Sequence, residues 1–182
     1  MIKSLGSNKL KTAVFISGTG SNLKNLIKFS TLKISPIQIN LVISNNLKAK
    51  GLNFIKRKKI KKKICIFKNK IRDENQILYF LKRNNINLIC LAGFMKILSK
   101  NFIKKFDGKI INIHPSLLPK YKGLNTHLRA IKNKDKFSGC TVHYVTSKLD
   151  SGKIILQKKV RILISDNPSS LAKKVLKQEH KL

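Results

Sequence analysis

Asn112 and His114, one residue apart in Ile111-Asn112-Ile113-His114-Pro115, are side chains suited to acyl-transfer chemistry. An amide can hold a carbonyl oxygen as charge develops on it, and an imidazole can move a proton near neutral pH. If Ile110 to Ile113 is a strand, alternation puts Asn112 and His114 on one face and Ile113 on the other. At the strand's end both would point into a cleft. Taken alone, the pair reads equally as a structural asparagine and a hydrogen-bonded core histidine. Pro115 and Pro119 bracket the loop that follows, which favours fixed side-chain positions.

Asp150, in Lys148-Leu149-Asp150-Ser151-Gly152, is a second candidate. As ordinary turn chemistry it needs no function. As a functional group it is a carboxylate that pairs with a cleft histidine and favours its charged form. Ser17-Gly18-Thr19-Gly20-Ser21-Asn22 lies where a strand turns into a helix. Its glycines permit a tight turn and close backbone approach, and a helix start at Ser21 or Asn22 presents N–H groups suited to a phosphate. It matches neither the dinucleotide fingerprint nor the P-loop, and a plain turn with a Ser or Asn cap is the other reading. His143, two residues after Thr141, is a candidate for supporting the site from behind, with a core histidine as the alternative. His127 and His180 fall in helical stretches and carry no signal. The histidines have no zinc spacing, so no metal is expected.

Positioning these residues requires particular elements. Thr12 to Ser17 reads as a buried strand, followed by a helix marked by Leu23, Leu26 and Ile27. Ile37 to Ser44 is a second strand. A lysine-rich helix is expected over Lys48 to Lys59, then a short strand from Ile64 to Phe67. Asp73 to Asn84 reads as a helix, Leu88 to Ala92 as a buried strand and Ile97 to Phe106 as a short helix. Ile110 to Ile113 is a strand and Leu124 to Lys132 a helix. Cys140 to Thr146 and Lys153 to Val160 form a final antiparallel pair, and Ser169 to His180 begins a terminal helix. Continuously apolar strands alternating with helices imply a doubly wound α/β domain, its mostly parallel sheet covered by helices on both faces. Neither repeat nor linker is evident, so residues 1–182 are expected to form one domain. Ligands in such folds sit at the carboxyl ends of the strands, which places Gly18 to Asn22, Gly93 to Leu98 and Asn112 to Pro119 along one rim.

The formal net charge of +33, from 40 Lys and Arg against 7 Asp and Glu, would ordinarily suggest a nucleic-acid partner. The lysines are spread along the chain, however, with one dense run at Lys56-Arg57-Lys58-Lys59-Ile60-Lys61-Lys62-Lys63. Lys, Ile and Asn all have AT-rich codons, so composition drift explains the charge. No specific nucleic acid is expected, while non-specific binding to anionic phosphates is at low salt. Cys65, Cys90 and Cys140 are odd in number and without metal spacing, consistent with reduced, buried thiols in a cytoplasmic protein. No apolar run is long enough to span a bilayer, and Met1 to Lys11 contains no secretory stretch.

Taken together, the motifs resemble one family. Ile16 to Leu23 (ISGTGSNL), Leu91 to Ser99 (LAGFMKILS), Ile111 to His127 (INIHPSLLPKYKGLNTH), Val142 to Gln157 (VHYVTSKLDSGKIILQ) and Gln178 to His180 (QEH) are similar, in order, to the phosphoribosylglycinamide formyltransferase family. The resemblance implies formyl transfer from 10-formyltetrahydrofolate, a co-substrate rather than a bound cofactor, to the amine of glycinamide ribonucleotide in purine synthesis. It implies Asn112, His114 and Asp150 as the catalytic trio. Gly20, Ser21, Asn22 and Glu179 would hold the ribonucleotide. Arg72, Met95, Lys96, Ile97, Leu98, Asn112 and Thr146 would contact the folate, with Thr146 to Asp150 lining its pocket. Asn125 stands where members often have histidine. Members also continue beyond Leu182, so the terminal helix is expected to be shortened.

Two other enzymes share the fold and the Asn, His and Asp logic: formyltetrahydrofolate hydrolase and the catalytic domain of methionyl-tRNA formyltransferase. A decayed enzyme with a basic RNA-binding surface is the non-enzymatic alternative. Aromatics make up only 7% of the chain, without the interleaving that base stacking uses.

Overall fold

A computed structural model describes residues 9–182 apart from Arg57. Most of Met1 to Lys11, and Arg57 in the lysine run, therefore lie outside the described residues. Seven strands follow the order β3-β2-β1-β4-β5-β6-β7 in a mixed, mostly parallel sheet flanked by helices, the α/β class expected from the sequence. The chain divides into two compact units, one ending at Met95 and one running from Lys96 to Leu182.

In the first unit, β1 (Leu10–Ile16) pairs in parallel with β2 (Ile37–Ser44) on one side and β4 (Leu88–Leu91) on the other, and β3 (Lys61–Ile64) pairs with β2. Val14, Phe15, Leu41 and Ile43 are fully buried. Burying each such side chain contributes about 1.5–3 kcal/mol before entropy is counted. Helix α1 (Ser21–Ser30) buries Leu23 and Ile27. Helix α2 (Lys70–Arg83) buries Ile77 and Leu81, and Asn69 caps it by accepting from the Arg72 N–H at 3.1 Å.

Two expectations are corrected here. The lysine-rich helix over Lys48 to Lys59 is instead a 3-10 turn at Lys50–Ile55. Gly51 in that turn lies against the Gly18–Gly20 loop, its N–H bonded to the Gly18 carbonyl at 3.0 Å. The third strand is Lys61–Ile64, not Ile64 to Phe67. As an edge strand it needs only backbone pairing, and exposed lysines guard it against further strand addition.

In the second unit, β5 (Lys109–His114), β6 (Phe137–Tyr144) and β7 (Ile154–Arg161) form an antiparallel meander. Helix α3 is shorter than expected, Lys100–Lys105, because Ser99 caps it by accepting from the Phe102 N–H at 3.0 Å. Helix α4 begins at Thr126 rather than Leu124, since Asn125 takes a left-handed φ of 58° as its N-cap and α4 ends at Lys132. Helix α5 (Pro168–Glu179) starts with Asn167 and Ser170 in a reciprocal capping box and Pro168 in the first turn. Its Leu171 and Val175 pack with Ala130 and Cys140, and Leu182 leans on the same cluster.

Candidate functional site

The register of β5 against β6 sets the geometry of the second unit. Asn112 lies opposite His143, and His114 opposite Thr141. All four side chains fall on one face, because each strand contributes alternate residues. Thr141 fixes the loop that leaves β5. Its hydroxyl donates to the Ser116 carbonyl at 2.6 Å and accepts from the Leu118 N–H at 3.1 Å and the Gln157 amide at 2.9 Å. That role is missed by a search for catalytic residue types. Its signal is the two-residue spacing from His143, which puts Thr141 on the same face.

His114 is buried, and its Nε2 lies 2.9 Å from the Tyr121 carbonyl oxygen. A carbonyl only accepts, so Nε2 carries the proton and Nδ1 is the nitrogen left for chemistry. Tyr121 holds that carbonyl in place with a left-handed φ of 56°, uncommon for a bulky residue. Its hydroxyl donates to Asp135 at 2.8 Å, and the Arg129 guanidinium lies 5.0 Å from its ring centre.

Asp150 turns back toward the histidines from a left-handed φ of 44°, a conformation that Asp tolerates. One carboxylate oxygen accepts from the Gly123 N–H at 2.8 Å and lies 3.5 Å from His114 Nδ1. The other lies 3.6 Å from His143 Nε2. The His114 and Asp150 side chains are 7% and 9% exposed, so solvent screens their interaction weakly. Burial holds the His143 imidazole below its usual value, against opposing contributions from the Tyr144 carbonyl and Asp150. Burial and nearby His114 do the same to His127 on α4.

Asn112, His114, Asp150 and His143 thus come together within the second unit. Thr146 is exposed, its hydroxyl donating to the Lys148 carbonyl at 3.2 Å. Glu179 is half-buried at the end of α5, near enough to Cys140 to raise that thiol's pKa, which burial mainly pushes up to about 12. Lys96 and Ile97 are exposed and Leu98 is buried.

In the first unit, β1 lies between β2 and β4, so the carboxyl ends of β1 and β4 form the point where strand order reverses. Ser17 ties this rim together. Its N–H donates to the Gly93 carbonyl at 3.1 Å, its hydroxyl donates to Asn45 at 2.5 Å, and it accepts from the Met95 N–H at 2.7 Å. Gly20 is the α1 N-cap with φ 72°, and no side chain caps that helix. A Cβ on Gly20 would stand 2.5 Å from the Gly51 Cα. Ser21 and Asn22 open the helix, half-buried. Arg72 is exposed on α2, within a surface depression of about 670 Å³ that also includes Asn69, Asn75 and Tyr79. Among the described residues, those lining that depression include no histidine or carboxylate.

The formyl transferase family model matches residues 10–182. The chain belongs to this family. It is 42% identical to phosphoribosylglycinamide formyltransferase of Haemophilus influenzae, over 94% of this chain and 82% of that protein. It is 41% identical to the human trifunctional purine biosynthetic protein adenosine-3, over 98% of this chain but 18% of that protein. The chain thus spans less than a fifth of the length of the trifunctional relatives. The crystal structure of phosphoribosylglycinamide formyltransferase from Anaplasma phagocytophilum matches with a TM-score of 0.88 and 44% identity, over 94% of this chain and 81% of that one. The face that carries Asn112 and His114, with Asp150 against it, therefore belongs to a formyltransferase-family enzyme. Among the described residues, no helix is long and apolar enough to cross a membrane.

Proposed function

We propose that this chain transfers a formyl group from 10-formyltetrahydrofolate to the amine of glycinamide ribonucleotide, a step in purine synthesis. The observation that carries the reading is the placement of Asp150 3.5 Å from His114 Nδ1, with Asn112 on the same face. The names of the relatives supply the acceptor, and the family resemblance supplies the formyl donor.

The amine nitrogen attacks the formyl carbon, and the carbonyl electrons move onto oxygen. That oxyanion accepts an N–H of Asn112 and, from protonated His114, the Nδ1–H. His114 Nε2–H stays with the Tyr121 carbonyl and fixes the ring plane. At 3.5 Å the contact with Asp150 is an ion pair rather than a closed hydrogen bond, so the Nδ1–H remains able to donate to an oxyanion placed along its fixed direction in the ring plane. Asp150 offsets the imidazolium charge. A water held by Asp150 takes the proton lost by the attacking amine and passes one to folate N10 as the N10–C bond breaks, while the carboxylate keeps its charge. Formylglycinamide ribonucleotide and tetrahydrofolate leave, with atoms and charge balanced.

The remaining assignments rest on the family's motifs. Gly20, Ser21 and Asn22 hold the phosphate, Glu179 the glycinamide, and Arg72, Met95 to Leu98 and Thr146 the folate. His143 supports the trio, and a cytoplasmic location fits the pathway.

The test is product identity. Purified protein receives 10-formyltetrahydrofolate with glycinamide ribonucleotide, with methionyl-tRNA, or with water alone. Formylglycinamide ribonucleotide as the sole product is expected. Formyl-methionyl-tRNA, free formate, or no turnover would reject the proposal in favour of the tRNA enzyme, the hydrolase, or a decayed remnant.

A further inference from the structure

We propose that His143 is a positioning residue that locks the Asn112 amide with an N–H, rather than its oxygen, held toward the imidazole. The inference rests on the oxyanion role assigned to Asn112 above.

An asparagine amide has a donor end and an acceptor end of nearly equal size, so packing alone does not choose between them. Only the donor end can stabilise an oxyanion. Something must therefore set the amide's orientation, and the register places His143 directly opposite Asn112.

His143 is 2% exposed and its ring is held at both nitrogens. Nδ1 lies 2.9 Å from the Tyr144 carbonyl oxygen, which can only accept, so Nδ1 carries the hydrogen. In the neutral ring Nε2 is then a lone pair. It lies 3.2 Å from Asn112 Nδ2 and accepts from it. A flipped amide would set its oxygen lone pairs against the Nε2 lone pair, a repulsive contact in a buried place. One amide hydrogen is spent on His143, and the second remains for the oxyanion. The Tyr144 carbonyl, His143 and the Asn112 amide thus form a chain in which a backbone group decides the polarity of a catalytic side chain.

Protonation of His143 reverses the chain. Nε2 would become a donor, release the Asn112 N–H, and turn to the Asp150 oxygen 3.6 Å away. The titratable groups facing this ring are Asp150 from the loop after β6 and His114 from β5, whose ring centre is 6.5 Å away. Lys109 Nζ lies 5.9 Å from the centre of the neighbouring Tyr144 ring.

The experiment is a double-mutant cycle on formyl transfer with both substrates, with thermal unfolding confirming each variant is folded. His143→Phe keeps a ring but removes the acceptor. It should lower kcat about 10- to 100-fold, with either KM within about threefold, because a misoriented donor costs much of what a missing one does. His143→Gln, which supplies an acceptor oxygen, should recover most of that loss. In an Asn112→Ala background, His143→Phe should cost less than about twofold, since no amide remains to orient. Equal costs in both backgrounds, or a Gln variant as slow as the Phe one, would overturn the inference. If Asn112→Ala alone leaves kcat unchanged, the oxyanion role itself fails and this inference falls with it. A kcat profile whose acid limb is the same in wild type and the Gln variant would also count against it.

Discussion

Replacing Asp150 by asparagine separates charge from shape at the centre of the site. The wild-type carboxylate accepts from the Gly123 N–H at 2.8 Å and faces His114 Nδ1 at 3.5 Å, with both side chains less than a tenth exposed. The amide oxygen of the variant can keep the Gly123 bond, and its NH₂ replaces the carboxylate oxygen 3.6 Å from His143 Nε2, whose lone pair stays with Asn112. Stability should therefore change by no more than about 1 kcal/mol. The catalytic loss is electrostatic. Opposite unit charges 3.5 Å apart attract by roughly 5 kcal/mol at an effective dielectric constant of about 20. If half to nearly all of that attraction supports the imidazolium in the transition state, kcat falls roughly 60- to 3,000-fold. The upper end approaches the loss of about 10⁴ when the aspartate of a Ser-His-Asp triad becomes asparagine. Steady-state release of tetrahydrofolate, followed by absorbance, measures kcat and both KM values, and chemical unfolding measures stability. A folded Asp150→Asn enzyme within about threefold of wild-type kcat would show that the charge on this carboxylate does not support His114.

Three further outcomes follow from other parts of the fold. Gly20→Ala forces a Cβ to within 2.5 Å of the Gly51 Cα at a φ of 72°, so urea unfolding should show a loss of about 2 kcal/mol or more; a change under about 0.5 kcal/mol would mean that the two loops part easily. Thr141→Val deletes the hydroxyl that joins Ser116, Leu118 and Gln157, and should cost roughly 2–3 kcal/mol in the same measurement; a neutral result would show that the loop after β5 is fixed by other contacts. The hydrogen bond from Lys174, followed by those from the Leu163 N–H and Ser170, lowers the Asp166 pKa from 3.8 to about 2. A depressed carboxylate contributes stability that is fully present above the unfolded value and lost as pH falls through the folded one. The wild type should lose this contribution between about pH 4 and pH 2, whereas Asp166→Asn should show a flatter stability curve across that window in acid titration followed by circular dichroism.

What the sequence revealed, and what it did not, divides along physical lines. Strands whose side chains are buried announce themselves, as Ala13 to Ile16 of β1 do, because burial on both faces leaves a continuous apolar run. Lys61–Ile64 does not, because an edge strand is held by backbone bonds to β2 and its side chains are exposed or only half-buried. The 3-10 turn escaped for a related reason. Its position depends on Gly51 touching Gly20, a backbone approach between distant segments that leaves no periodicity. The candidate site follows the same division. Asn112 and His114 could be paired from alternation along one strand. The partnership of Asn112 with His143 is a cross-strand fact and requires the register. Tyr121 is more opaque still, since it acts through a carbonyl that every residue has, and only its φ of 56° marks it.

These less legible contacts bear on mechanism more than the residue types do. Asn, His and Asp occur throughout proteins, and their chemistry depends on which atom of each is free. Here the Tyr121 carbonyl takes His114 Nε2, leaving Nδ1 beside Asp150, and the Gly123 N–H holds the carboxylate oxygen that faces it. Each decision is made by a backbone group, whose position depends on the fold rather than on the local side chain. Substitutions that leave Asn112, His114 and Asp150 in place but move Tyr121, Gly123 or Thr141 should therefore damage turnover while sparing the residues a sequence search would inspect.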